Sequence, residues 1–484
     1  MNLSAEGLGI LVPVGAVCGL GVVVLLAEMF DSSKRHLAVA WLAIVGLGAV
    51  AWSGRAALMS GLSGNFHGVL ALDAYTVFFG FLFCALAIVA VMMSVEYLPE
   101  AGVSAGEYYP LLVFAVAGML TMAAATDLVV FFLGLEIMSM AAYVLAGIRK
   151  RDRRSNEAAL KYFLLGALAS AFLLYGIALL YGQTGSTSLA GIAGAIHAAG
   201  DGDSLVLLLA VGLLLVGLGF KVGAAPFHLW IPDVYEGSPT SVTVFMATAV
   251  KAAGFAAFVK IALVGLHALG PSLGGILWAA SALTMTVGNL AALRQTSLKR
   301  MLAYSSVAHT GYLLMGLAAG TPQAAAAMLF YLVAYGAMNL GAFGVMIMLA
   351  RRGNQAEDIS DFAGLGRSRP MLALAMTVCM LSLTGIPPLA GFAAKFYLFA
   401  AVLRAGSPVL VLLAVFNSVL AATYYIGVVR TMYFDRGGLV PVAVRPHLAV
   451  GLGIAVAATI VLGLAPSGLL AAASWAFDNV ALLP

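Results

Sequence analysis

Apolar runs of about 20 residues recur along the whole chain, separated by short polar connections. A membrane span needs about 20 mostly apolar residues, so each run predicts a transmembrane helix. Fourteen runs centre near residues 18, 45, 84, 116, 137, 171, 215, 252, 284, 309, 336, 386, 420 and 456. The expectation is an all-α integral membrane protein, a single polytopic domain over residues 1–484 with no extramembrane domain. The first run, about Gly7 to Met29, exceeds a signal-peptide core and lacks a basic flank, so it reads as a retained span.

Two runs are interrupted. The seventh contains Gly219-Phe220-Lys221-Val222-Gly223-Ala224-Ala225-Pro226-Phe227-His228, and the twelfth contains Gly385-Ile386-Pro387-Pro388-Leu389-Ala390-Gly391, with Lys395 following. Proline removes a helix hydrogen bond and clashes with the preceding turn. In lipid the freed groups need protein or water partners. Either break alone reads as an ordinary proline kink, common in membrane helices. Together, five spans apart, they point to an ion path between repeats. Five is odd, so the second unit enters from the opposite face. The expected layout is spans 1–3 over about 7–95, inverted five-helix repeats over about 108–264 and 274–432, and a last span at about 446–464. Gly219 and Gly223 read as helix-packing residues.

Composition agrees with lipid as the solvent: 63% of residues are hydrophobic and 9% charged, against about 25% charged in soluble domains. The net charge of +4 gives no reason to expect nucleic acid. Cys18, Cys84 and Cys379 lie far apart in apolar runs and read as small core residues. Without a C-x-x-C pair, neither a zinc site nor an iron–sulfur cluster is expected. No G-x-G-x-x-G follows a strand, so no dinucleotide site is expected either.

Charge placement is more informative. Of 24 Lys and Arg residues, 17 fall in connections after odd-numbered spans: Lys34, Arg35, Arg149, Lys150, Arg151, Arg153, Arg154, Arg294, Lys299, Arg300, Arg351, Arg352, Arg367, Arg369, Arg430, Arg436 and Arg445. Only Arg55 and Arg404 fall on the other side. The positive-inside rule makes the odd connections cytoplasmic and both termini periplasmic. The five left over, Lys161, Lys221, Lys251, Lys260 and Lys395, all lie inside apolar runs, where the one deep acid is Glu136.

An intramembrane charge costs roughly 3 kcal/mol on insertion scales and by default marks an ion or proton pathway. A buried lysine can lose its proton near neutral pH, whereas arginine stays charged. Lys221, Lys251 and Lys395 are mid-span and read as proton carriers. Lys161 and Lys260 lie nearer span ends, where snorkelling is an equal alternative. Glu136 needs a cationic partner, and Lys221 is the natural candidate. His309 reads equally as a proton relay or a hydrogen-bonded core histidine. His228 reads as structural. The histidines are too scattered for a metal site.

The stretches Gly219 to Asp233, Ser297 to His309 and Gly385 to Lys395 resemble the antiporter-like membrane subunits of NADH:quinone oxidoreductase, relatives of the multisubunit sodium/proton antiporters. The resemblance covers essentially the whole chain. It implies 14 helices, two inverted five-helix repeats, broken seventh and twelfth helices, and a hydrophilic axis. Lys395 fits the N branch, since the M branch carries glutamate there; the chain's end at Pro484 does not fit the extended L branch. The resemblance further implies a Glu136–Lys221 pair, Lys251 as central carrier, Lys395 as outlet carrier, and a counterpart for Lys161. It implies a bacterial inner-membrane subunit with no cofactor of its own. NADH, FMN, iron–sulfur clusters and quinone are expected in partner subunits, and the partners are antiporter-like neighbours of the membrane arm. A subunit of a sodium/proton antiporter or a membrane-bound hydrogenase is the alternative.

Overall fold

The structure is a computed structural model that describes residues 5–31, 36–103, 106–199, 204–351, 355–437 and 445–480. Lys34, Arg35, Arg352 and Pro484 lie outside the described residues. The chain begins with α1 (Ala5–Phe30), α2 (Leu37–Met59), a hairpin of β1 (Gly64–Phe66) and β2 (Leu70–Leu72), and α3 (Ala74–Ser94). A single turn, α4 (Tyr97–Glu100), precedes α5 (Tyr108–Ala124), α6 (Leu128–Ala146), α7 (Arg153–Thr184), α8 (Leu189–Ala199), α9 (Leu205–Val222) and α10 (Trp230–Gly237). Next come α11 (Thr240–Phe245), a π segment (Met246–Val250), α12 (Lys251–Lys260) and a second π segment (Ile261–Gly265). The rest is α13 (Gly270–Ala292), α14 (Leu298–Ala319), α15 (Pro322–Leu349), α16 (Leu365–Ser368), α17 (Pro370–Thr384), α18 (Ala390–Arg404), α19 (Pro408–Phe434), α20 (Pro446–Leu464) and α21 (Ser467–Asp478).

The all-α membrane class holds. Among the described residues, 11 helical stretches are long and apolar enough to cross a membrane. Every predicted centre falls in a helix except residue 386, which falls in the gap between α17 and α18. The other predicted spans fall on α14, which has 22 residues but opens on Lys299 and Arg300, on α5 with 17 residues, and on α17 and α18 with 15 each. The β1–β2 hairpin, α8 and α21 were not expected from the hydrophobic pattern, because each is too short to span and too apolar to read as a loop.

Burial sorts the helices. Residues 240–265 are buried throughout their apolar window and α15 over 94% of it, whereas α1, α2, α7, α19 and α20 are buried over a third or less. The first two form the hub. The outer helices turn Val, Leu and Phe outward, among them Val45, Leu164, Leu412 and Val419. Cys84 and Cys379 are buried as expected, but Cys18 is exposed on the apolar outside of α1, because its helix packs through another face.

Connections sort into two ends. At one, Arg149 donates to Tyr97 Oη (2.9 Å) and Gln355 Oε1 (3.1 Å). There too Lys299 pairs with Glu357 (2.9 Å), His447 with Glu96 (2.5 Å), and Arg445 with Glu100. At the other, Thr126 N–H donates to Val69 O (3.0 Å), Leu189 N–H to Thr126 O (2.9 Å) and Leu128 N–H to Thr187 O (2.9 Å).

Both interruptions use one backbone device. Gly223 (φ 79°) and Gly385 (φ 96°) end α9 and α17 in the left-handed region, and a proline follows three residues later, Pro226 and Pro388. The N–H groups of Gly223 and Ala224 return to Gly219 O (2.9 and 2.8 Å), and those of Gly385 and Ile386 to Leu381 O (both 3.1 Å). This is how glycine closes a helix C-terminus. Gly223 is therefore a helix terminator as well as a packing residue: a Cβ there would lie 2.0 Å from Ile231 Cδ1.

Candidate functional site

Three of the mid-span lysines line up through the hub. Lys221, in the last turn of α9, is 5% exposed. Its Nζ donates to Ser139 Oγ on α6 (2.8 Å) and lies 5.6 Å from the centre of the Tyr162 ring. Glu136, one turn before Ser139, accepts instead from Ser170 Oγ on α7 (2.5 Å). The implied Glu136–Lys221 ion pair is thus not formed. Each group is held by its own serine, and Ser139, Ser170 and Lys221 line one cavity of about 10 Å³, room for about one water.

Lys251 opens α12 directly after the π segment, 3% exposed. π-bulges recur at functional sites. Its ammonium donates to Ser306 O (2.6 Å), to Ser306 Oγ, and to Thr310 Oγ1 (3.0 Å), and it faces the Tyr335 ring at 5.2 Å. Thr310 Oγ1 in turn donates to Val222 O (2.6 Å), the residue after Lys221. Gly254 allows this approach. A Cβ there would meet Val222 Cγ1 at 3.2 Å and Lys221 Cγ at 3.6 Å.

His309 continues the line. Its Nδ1 lies 2.7 Å from Tyr331 Oη and its Nε2 3.2 Å from Tyr425 Oη, and the Tyr425 hydroxyl also contacts Ser305 Oγ. Its ring meets those of Tyr335 (5.1 Å) and Tyr312 (5.7 Å). Tyr312 carries the next lysine, with Lys395 Nζ 5.1 Å from its ring centre. Lys395 donates to Leu383 O (3.1 Å) and Thr384 O (2.9 Å), two carbonyls left without helical donors by the break. Lys395 lies at the back of a groove of about 580 Å³ between α18 and α19.

Lys161 is not on this line. Its side chain is 42% exposed and pairs with Glu157 and Asp233, both at 2.8 Å. Asp233 also binds Arg300 (2.9 Å), which binds Glu236 (2.6 Å). Lys260 is 2% exposed, so it does not snorkel. His228 lies buried in the first break, and its Nδ1 has no hydrogen-bond partner among the described residues.

Several participants carry weak sequence signals. Ser139 and Ser170 are ordinary helix residues without their partners, and Tyr312, Tyr331, Tyr335 and Tyr425 look like apolar filler. Ser305, Ser306, His309 and Thr310 do signal, being four polar residues within six positions of a span. Lys299, assigned to a loop from sequence, is fully buried at the start of α14, where it binds Glu357 and the carbonyls of Glu236 (3.1 Å) and Ser238 (2.6 Å).

Residues 125–421 match the transmembrane family described as NADH:quinone oxidoreductase/Mrp antiporter. The chain belongs to this family. A relative, NADH-quinone oxidoreductase subunit N of Trichlorobacter lovleyi, is 44% identical over 96% of this chain and 95% of its own length. A chain of respiratory complex I from Thermus thermophilus superposes with a TM-score of 0.80 at 37% identity, over 95% of this chain and 98% of that one. A chain of the Mrp complex from Dietzia sp. gives 0.84 at 22% identity over 99% and 98%, which shows the shared fold alone.

Proposed function

We propose that protons cross this chain along the line Lys221–Lys251–His309–Lys395, in a membrane-arm subunit of an NADH:quinone oxidoreductase. As a family member with subunit N relatives, it serves proton translocation in that complex beside antiporter-like neighbours, as a multi-pass membrane protein of a bacterial respiratory chain. The 44% and 37% identities to respiratory subunits, against 22% for the antiporter chain, favour this over the sodium/proton antiporter.

The succession that carries the proposal runs from Lys221 by the backbone of Val222 to Thr310 and Lys251, then by the Tyr335 ring to His309 and by the Tyr312 ring to Lys395. Electron transfer in partner subunits shifts Lys221 between Ser139 and Glu136. A unit charge moved by this much matters: two charges 4 Å apart interact by about 4 kcal/mol at an effective dielectric of about 20. That changes the proton affinity of Lys251, whose proton passes by His309 to Lys395 and outward. The chain itself is assigned a non-redox role. Its three cysteines form no C-x-x-C pair, and NADH, FMN, iron–sulfur clusters and quinone are assigned to partners.

The topology is proposed as 14 crossings with both termini periplasmic. The two separate ends support it, because connections after odd spans meet at one end and those after even spans at the other. The repeats over about 108–264 and 274–432 are supported by the Gly223–Pro226 and Gly385–Pro388 spacing. Lys251→Ala in the native complex tests the line. Pumping is expected to be abolished with the complex assembled, and wild-type pumping and quinone reduction would remove Lys251 from the path.

A further inference from the structure

Two spaces flank an aromatic stack between α7 and the first helix break. One is a cleft of about 260 Å³ at the end assigned to the cytoplasm, lined by Glu157, Ala158 and Lys161 of α7 and by Asp233 and Glu236 of α10. The other is the cavity of about 10 Å³ beside Lys221, lined by Gly166, Ala169 and Ser170 of α7 and by Phe220 of α9. Ala158, Tyr162, Gly166 and Ser170 follow one another at four-residue steps, so they form one stripe along α7. Ala158 lines the cleft, Gly166 and Ser170 line the cavity, and Tyr162 stands between them. Lys161 and Gly166, the nearest α7 residues of the two walls, are about 7.5 Å apart along the axis.

Rings fill that gap. Tyr162 is fully buried and stacks on Trp230, with ring centres 4.3 Å apart and planes 6° from parallel. Trp230 opens α10, one turn before Asp233, and its ring meets that of Phe220 at 5.3 Å. Its indole N–H donates to Phe220 O (2.9 Å) in the last turn of α9, which pins it to the break. The buried Tyr162 hydroxyl has no hydrogen-bond partner among the described residues. The Tyr162 ring also faces the Lys221 ammonium at 5.6 Å, a cation–π contact. It therefore rests on the lysine that moves in the mechanism above.

We propose that the cleft is the cytoplasmic proton entry to Lys221 and that the Tyr162–Trp230 stack is its gate, shut in this structure. Apolar constrictions close pores by shedding water, and here two rings separate two spaces that hold water. When Lys221 leaves for Glu136, Tyr162 loses its cation and swings aside, and its free hydroxyl meets the entering water. Trp230 stays on Phe220 O. The inference rests on the proton-translocating reading, but thiol labelling and not pumping tests it. Ala169→Cys places a thiol in the inner cavity of the native complex. Leu173→Cys, on the same wall and with no added bulk, replaces it if that variant fails to assemble. Inverted membrane vesicles present the cytoplasmic face to a small, membrane-impermeant methanethiosulfonate, and mass spectrometry reads the labelled fraction of this chain. The thiol is expected to label slowly at rest and many-fold faster during NADH oxidation. Adding Tyr162→Ala or Trp230→Ala is expected to give fast labelling without NADH, while Tyr162→Phe, which keeps the ring, stays slow at rest. Fast labelling at rest with the stack intact would overturn the gate. Equal rates with and without NADH would make the stack a fixed plug and overturn it too, a comparison that stands even where the alanine variants fail to assemble. Alanine variants that assemble and stay slow would show that something else closes the route. Lys251→Ala separates the two readings: pumping retained there removes the line of lysines, whereas resting labelling still set by the stack keeps the gate.

Discussion

Lys221 donates to the Ser139 hydroxyl at 2.8 Å, one turn past Glu136, whose carboxylate is held by Ser170 at 2.5 Å. Two groups expected as an ion pair are thus poised one serine apart. A hydrogen bond to a charged group contributes about 1.5–3 kcal/mol, comparable to the Coulomb term it opposes. Ser139 therefore sets how readily Lys221 moves to Glu136. Ser139→Ala is expected to leave the complex assembled and lower pumping more than quinone reduction. The proton-to-electron ratio in inverted membrane vesicles measures this, and an unchanged ratio would make Ser139 a packing residue only.

The lysines were legible in the sequence because lipid makes an unneeded charge costly. Lys221, Lys251 and Lys395 stand out in apolar runs, and the structure brings them into one line. The helix breaks were legible through glycine and proline. What joins these lysines was not. Tyr312 sits between His309 and Lys395 through its ring, and Tyr331 joins His309 through its hydroxyl. Their roles depend on α14, α15 and α18 meeting. Pair geometry stayed hidden too, since spacing shows that Glu136 and Lys221 share a depth and not which serine each one touches. Lys299 misled for a related reason. A cation at a span end looks like a loop residue until Glu357 and the end of α10 fold over it.

His309 offers a separate test of the line. Both ring nitrogens face tyrosine hydroxyls, so replacing either tyrosine by phenylalanine removes one bond and keeps the ring. A neutral hydrogen bond contributes about 0.5–1.5 kcal/mol, too little to unfold the bundle. Tyr331→Phe and Tyr425→Phe are expected to assemble and to slow pumping by a few-fold, and His309→Leu to slow it further. Stopped-flow measurement of proton release checks the order. Full pumping in His309→Leu would return His309 to the core.

Lys161 contrasts with the buried lysines of the proposed line. Its partners Glu157 and Asp233 are partly solvated, and exposed ion pairs contribute about 0–1 kcal/mol. Asp233 also keeps Arg300 when Lys161 is lost. Lys161→Ala is expected to retain assembly and most of the pumping rate, with a loss under about twofold. A loss as deep as that of Lys251→Ala, measured in the same vesicles, would place Lys161 on the path after all.

Gly385 ties the break to the chemistry most directly. At φ 96° it holds a conformation that L-residues rarely adopt, and a side chain in the left-handed region costs roughly 1–2 kcal/mol. A Cβ there would also lie 3.0 Å from Lys395 Cδ and 3.5 Å from its Nζ. Gly385→Ala therefore both strains the end of α17 and pushes Lys395 from the carbonyls of Leu383 and Thr384. The expected result is a complex that assembles with a lower melting temperature and pumps poorly. Gly406→Ala is the control. It has a similar φ of 84° but open space around its Cβ, so it bears the backbone cost without touching a carrier. Pumping lost equally in both variants would show that backbone strain alone, and not the displaced lysine, accounts for the defect.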